Sequence, residues 1–224
     1  MSVTPHIVSD VMTSPVVAVR RDTRFKDIVQ TLVDRNVSAV PVVEADGRVA
    51  GVVSEADLLP KAEFREGDLT RAEQLQRLPD LAKAQAVTAE EVMSAPAVVV
   101  RQDVTLAQAA RIMAVEHVKR LPVVDDEGRL RAIVSRGDLL KVFLRPDEDI
   151  EEEVRRTVVA YLFPALSHTI RVSAHHGVVT LRGDVHDPSL AWVAERLVRA
   201  VEGVVGVETR LSGEDTVPDG TRHE

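Results

Sequence analysis

Apolar residues recur along this chain in two periods, and the switches between them mark its elements. Phe25, Ile28, Val29 and Leu32 fall at i, i+3, i+4 and i+7, one face of a helix. Asp22-Thr23 offers an N-cap before it and Asn36 a stop after it. Ahead of that helix, Val16 to Val19 predicts a short strand. Behind it, Val40 to Val43 and Val49 to Val53 are β-branched runs joined through Asp46-Gly47, which predicts a hairpin. Ser54 then opens a short helix carrying Asp57, Leu58 and Leu59. The order is strand, helix, strand, strand, helix.

The chain then writes this unit again. Val92-Met93 and Pro96 restart it, Val98 to Val100 predicts the strand, and Leu106, Ala109, Ala110 and Met113 repeat the helix face. Leu121-Pro122-Val123-Val124, a turn at Glu127-Gly128 and Ile133-Val134-Ser135 repeat the hairpin, and Asp138-Leu139-Leu140 the closing helix. Laid over 92–140 at an offset of 81, residues 11–59 are identical at 18 of 49 positions without a gap. That is an internal repeat, and it dominates the reading. Between the copies, Pro60 to Ala86 is charged and weakly periodic, and reads as a helical connection without a legible role.

After Arg145-Pro146 the periods change order. Asp147-Glu148-Asp149 opens a helix, with acids at its positive end, whose apolar face is Ile150, Val154, Val158 and Tyr161-Leu162. Ile170, Val172 and Ala174 alternate as a strand, and Val179, Leu181, Gly183 and Val185 as the next, joined through His176-Gly177. Asp187-Pro188 predicts a helix start, with Ala191, Ala194, Val198 and Val201 facing inward, and Val204 to Leu211 a last strand. The order is helix, strand, strand, helix, strand, so the fold class is α+β throughout. Residues 213–224 are polar with Pro and Gly and read as a disordered tail.

Composition narrows the function. The 224 residues are 45% hydrophobic and 29% charged, ordinary for a globular protein. Absence of Cys excludes disulfides, thiolate metal sites and thiol nucleophiles. The net charge of −8 shows no basic stretch, so neither nucleic acid nor an anionic membrane is an expected partner. Met1 to Asp10 has no basic region followed by an apolar run, and no stretch approaches a membrane span, so the expected location is the cytoplasm. His175 and His176 are adjacent near a strand end and point to opposite faces, so a shared metal is not expected. No Ser/His/Asp order or paired-carboxylate site stands out, and no segment is left over for a catalytic domain.

The candidate chemistry lies in the two Ser-x-x-Asp turns, Ser54 with Asp57 and Ser135 with Asp138. A hydroxyl where a strand enters a helix can donate to a phosphate, and a carboxylate one turn on offers two acceptors to the two hydroxyls of a ribose. The same spacing is close to a capping box, which needs no ligand. Lys119-Arg120, just ahead of Leu121-Pro122, adds two cations, and Arg grips a phosphate bidentately. The matching positions of the first copy are Ser38 and Ala39.

Val11-Met12 and Val92-Met93, the two x-Pro-Val-Val strands and the two Ser-x-x-Asp turns together resemble a tandem pair of CBS domains, a Bateman module, over residues 7–144. The resemblance places repeat 1 at 7–60, a connecting helical segment at 61–86 and repeat 2 at 87–144. It implies an adenine nucleotide (AMP, ADP or ATP-like) in the cleft between the repeats, held through Ser54, Asp57, Ser135 and Asp138, with Lys119 and Arg120 reaching its phosphates. Because both cations sit in the second copy, the tighter site is expected at Ser135, Asp138 and Arg120. Ala132 stands where the motif has Gly, as Gly51 does in the first copy. The resemblance also implies a homodimer through the repeats, for which the helix faces Phe25–Leu32 and Leu106–Met113 supply apolar surface.

Gly177-Val178-Val179-Thr180-Leu181-Arg182-Gly183-Asp184-Val185 and Gly203-Val204-Val205-Gly206-Val207 resemble a BON domain over 148–212. That family is proposed to associate with phospholipid or with partner proteins. Here a small module docking an unknown protein partner is expected. The implied function is a non-catalytic regulatory protein that senses an adenine nucleotide. The alternative is a ligand-free scaffold whose BON domain binds a protein or phospholipid.

Overall fold

A computed structural model describes residues 6–64 and 77–213 of the chain. It divides into two compact units, Ile7–Leu139 and a second formed by the residues from Leu140 onward with His6. Residues 65–76 of the connecting segment and 214–224 of the expected tail lie outside the described residues.

The first unit holds both copies. In the first, β1 (Val19–Arg20) runs parallel to β2 (Ala39–Val43), which pairs antiparallel with β3 (Val49–Ser54). In the second, β4 (Val100–Arg101), β5 (Arg120–Val124) and β6 (Leu130–Ser135) pair in the same way. The helices Phe25–Asp34 and Leu106–Val115 follow the first strand of each sheet, and Glu55–Leu58 and Arg136–Leu140 follow the third. This is the expected order, set by the hydrophobic pattern: Ile28 and Leu32 of the first helix and Leu106, Ala109 and Met113 of the second are all buried.

Pro41 and Pro122 sit in central strands, where a missing N–H normally breaks a ladder. Pro41 pairs with Val52, whose N–H and C=O both bond Ser94 and so point away from β2. The Pro41 nitrogen therefore faces the β1 side, and β1 reaches only Val42 and Val43. The proline lies just past the end of the parallel ladder.

The two copies exchange their leading segments. Thr13 pairs with Ile133 through N–H···O bonds of 2.8 and 3.1 Å, and Ser94 pairs with Val52 through bonds of 2.9 and 3.1 Å. Ala86, Ala89 and Val92, which lead into the second copy, complete the core around Ile28, Val40, Val42 and Val53 of the first. Val8 and Ser9, at the start of the first copy, donate to Val104 and Gln102 of the second. This exchange corrects the expected strands at Val16 to Val19 and Val98 to Val100. Each leading segment crosses to the other sheet, so the chain regains its own sheet only at Val19 and at Val100.

Gly51 is required where the segments cross. A Cβ there would lie 2.5 Å from Met93 Sδ and 2.9 Å from the Ser94 carbonyl oxygen, which is backbone held in a ladder. Gly51→Ala is expected to cost about 1–3 kcal/mol by overpacking. A lowered urea midpoint with an unchanged denaturant slope would show it, and an unchanged midpoint would mean that the crossing yields.

The helix start expected at Asp22-Thr23 is also corrected. The helix begins at Phe25 with Arg24 at the cap and no side-chain cap bond, while Thr23 Oγ1 accepts from Arg20 N–H within the turn at 3.0 Å. Asn36, with φ of 49°, and its counterpart His117, with φ of 54°, take the left-handed position just past each helix.

In the second unit, the helix Asp147–Val154 continues through a π turn, Arg155–Val159, into Ala160–Leu162. The wider turn buries both Val158 and Val159 and rotates the residues beyond it, so Tyr161, expected on the apolar face, is 73% exposed. β7 (Arg171–His175) and β8 (Val178–Val185) form the expected hairpin. Its turn residues, His176 and Gly177, have φ of 50° and 74°, the two-residue turn that matches strand twist. β9 (Gly206–Gly213) adds parallel to β8. The intervening helix is Leu190–Arg199, two residues later than Asp187-Pro188 predicts, because Asp187 Oδ1 accepts from Ser189 N–H at 2.9 Å and closes a turn first. Ile150, Val154, Leu181, Ala194 and Val198 belong to one self-contained core. Among the described residues no helix is long and apolar enough to cross a membrane.

Candidate functional site

Both Ser-x-x-Asp turns fold as capping boxes. Asp57 Oδ2 accepts from Ser54 N–H at 2.8 Å and from Ser54 Oγ at 2.6 Å. Asp138 Oδ2 accepts from Ser135 N–H at 2.9 Å and Ser135 Oγ at 2.6 Å, and Asp138 N–H reaches back to Ser135 Oγ at 3.3 Å. Each serine hydroxyl is thus directed at its own aspartate. Asp57 and Asp138 are the two buried charged residues among the described ones.

Around the first turn lies a cleft of about 360 Å³, within the range of small-ligand sites. Its lining comes from both copies. The first gives Ser38, Ala39, Val52 and the turn Ser54 to Asp57. The second gives Ser94, Pro96, Ala97 and Val98 from the exchanged segment, and His117 to Arg120 from the entry to β5. Val52, Pro96, Ala97, Val98 and Val118 make an apolar wall, while Lys119 and Arg120 bring two cations to the rim. The Arg120 guanidinium donates to Ser38 Oγ across the two copies.

This overturns the expected grouping of Arg120 with Ser135 and Asp138. The backbone of Arg120 is in register with Ser135. Its side chain, however, crosses to Ser38 and lines the cleft of Ser54 and Asp57. The exchange of leading segments is the reason, since it sets the end of β5 against the first copy's turn.

Asp57 has further partners that sequence reasoning missed. Ser94 Oγ donates to its Oδ1 at 3.0 Å, and the Lys83 ammonium pairs with the same oxygen. Burial pushes the Asp57 carboxyl up, but the hydrogen bonds from Lys83 and Ser54 and the Lys83 charge outweigh it and hold the group below the usual carboxylate range. Lys83 lies in the connecting helix Leu78–Gln85, where no periodicity marked it. Ser94 was missed, and Ser38 and His117 were not assigned to the site, for a different reason: each matters only once the copies are paired. Among the described residues no group of three or more His, Asp or Glu is placed to hold a metal ion.

The helix faces expected to supply dimer contacts are turned inward instead. Ile28, Leu32, Leu106, Ala109 and Met113 fill the chain's own core. What remains outside on the first copy is a groove of about 400 Å³ lined by Phe25, Val29, Val33, Leu58, Leu59 and Ala62 among others, with Val33 70% and Leu59 63% exposed.

Comparison with known proteins matches this architecture. The chain matches the CBS domain over residues 8–62 and 89–145, and the BON domain over 146–214. It is 30% identical over 154 residues to an uncharacterized protein of Methanocaldococcus jannaschii, an alignment covering 62% of this chain and 91% of that one. It is 30% identical over 146 residues to the chloroplastic CBS domain-containing protein CBSX2 of Arabidopsis thaliana, covering 59% of this chain and only 60% of the plant protein. The crystal structure of CBSX2 in complex with AMP superposes with a TM-score of 0.54 at 29% identity, covering 62% of this chain and 97% of that one. With two copies of the unit closing one cleft and a separate αββαβ unit after them, the chain belongs to the CBS-domain proteins, as a tandem pair followed by a BON domain.

Proposed function

We propose that this protein is a non-catalytic sensor of an adenine nucleotide, bound in the cleft between Ser54-Asp57 and Lys119-Arg120. The observation that carries the reading is that pairing: a buried carboxylate suited to ribose and two cations suited to phosphate, brought to one apolar cleft by opposite copies. AMP in the related CBSX2 structure supports the ligand class. Ser135 and Asp138 form the related second turn, assigned here as a second and weaker nucleotide position because Lys119 and Arg120 serve the first cleft. A homodimer would use the outward groove at Val33 and Leu59, and the BON domain would dock a protein partner.

Thermal unfolding of the full chain with AMP, ADP or ATP tests the reading. A ligand at a hundred times its Kd stabilises by about 2.7 kcal/mol, which raises Tm by roughly 5–10 °C for a chain of this size. The expected result is such a rise with at least one of the three and none with inorganic phosphate. No rise with any of them would favour the scaffold reading, in which the turns are caps alone.

A further inference from the structure

The connection between the copies holds the oxygen that the first cleft needs. Asp57 has two carboxylate oxygens, and Oδ2 is occupied by the Ser54 N–H and hydroxyl. Oδ1 is left for a ligand, and there it meets the Lys83 ammonium and the Ser94 hydroxyl. The Lys83 side chain is 25% exposed and that of Asp57 10%, so the pair is largely out of water, where opposite charges attract more strongly than at the surface. A ribose that donates its hydroxyls to Asp57 and the ammonium of Lys83 therefore compete for one atom.

The helix that carries Lys83 is loosely seated. None of its residues is buried, and Leu78 is 56% exposed. Apart from Lys83, Lys61 Nζ donates to Ala84 O at 2.9 Å, and Arg77, just ahead of the helix, pairs with Glu63 and lies over the Phe64 ring, while its bond to Asp80 stays within the segment. Immediately after it the chain is pinned again, with Ala86 3% exposed in the core of the first copy. A segment with few buried apolar contacts, fixed at a point beyond its end, opens at low free-energy cost.

We infer that Lys83 is a latch on the first cleft. Lys83 and a nucleoside exclude each other at Asp57, so binding frees the helix Leu78–Gln85 from its bond to Asp57. The inference rests on the nucleotide reading of that cleft and adds its regulation: occupancy is written into the segment that joins the two copies. Affinity is correspondingly lowered, since a site that is competent for only a fraction of the time binds more weakly by that fraction.

Calorimetric titration of the full chain with adenosine and with AMP tests this in the wild type, Lys83→Met and Asp57→Ala. Methionine keeps most of the length of the side chain and removes its charge. If the latch engages Asp57 nine-tenths of the time, Lys83→Met binds both ligands about tenfold more tightly. Unchanged affinity for both overturns the latch and leaves the nucleotide reading standing. Weaker AMP binding with unchanged adenosine binding also overturns it, and makes Lys83 a phosphate contact instead. Absence of binding to either ligand in both wild type and Lys83→Met overturns the nucleotide reading itself, and the latch with it. Asp57→Ala removes the contested oxygen, so binding at the wild-type affinity in that variant overturns the latch together with the ribose role of Asp57. A variant-free measurement is amide hydrogen exchange over 78–85 in the wild type. Saturating adenosine is expected to speed it, and no change or slower exchange overturns the latch.

Discussion

Asp57→Ala is expected to abolish nucleotide binding in the first cleft and to lower the stability of the paired repeats by about 2–4 kcal/mol, between the loss of an ordinary helix cap and the breaking of a buried ion pair. One substitution removes the acceptor of Ser54 N–H, Ser54 Oγ, Ser94 Oγ and Lys83 together. Asp57→Asn separates shape from charge. The Asp57 carboxyl titrates below its ordinary value of 3.8: burial raises it, and the Lys83 and Ser54 bonds lower it further than burial raises it. A group whose folded value is depressed gives its full stabilisation above the unfolded value, near 3.9, and loses it as pH falls through the folded one. The stability gap between wild type and Asp57→Asn should therefore stay constant from pH 7 to about 5 and close progressively below about 3.9. A gap of the same size at pH 2, read from urea unfolding, would mean that the charge of Asp57 contributes nothing.

Arg120→Ala should act on the ligand more than on the fold. Arg120 is half-buried at the rim, and its described bond is to the Ser38 hydroxyl. A hydrogen bond to a charged group contributes about 1.5–3 kcal/mol, so loss of the guanidinium should weaken AMP by roughly tenfold to a hundredfold. Adenosine has no phosphate and should be almost unaffected. Lys119 is exposed, and its replacement should have a smaller effect in the same direction. Calorimetry with both ligands separates the cases, since equal losses for AMP and adenosine would remove the phosphate role. Asp138→Ala is the control for which turn Arg120 serves. AMP binding at the first cleft should survive it, and a loss there as complete as that of Asp57→Ala would restore the grouping of Arg120 with Ser135 and Asp138.

Much of the fold was legible because it is carried by burial periodicity. Ile28 and Leu32, Leu106 and Met113, and Val179 with Leu181 are all where the alternation of apolar and polar residues puts them. The turns at Gly47, Gly128 and Gly177 were legible because each has a φ that favours glycine. The site was legible only in its parts. Ser54, Asp57, Lys119 and Arg120 were each visible, but their assembly depends on Thr13 and Ser94 crossing to the opposite sheets. Those contacts are single bridges with no hydrophobic signature. Lys83 was illegible for a related reason, since one long side chain reaching an aspartate 26 positions earlier leaves no period to read. Where Asp22-Thr23 and Asp187-Pro188 misplaced helix starts, the capping residue had been claimed by a turn just ahead of the helix.

The exchanged segments have a mechanical meaning. Because the carboxylate of the cleft belongs to one copy and its cations to the other, the site would act as a caliper on the proposed reading: any movement of one copy against the other would change the span from Asp57 to Arg120. A molecule that touches both jaws fixes their opening at its own length. A monophosphate and a triphosphate, which share a ribose and differ only in reach, would then set the caliper at different widths, and the protein would report how many phosphates are present as an angle.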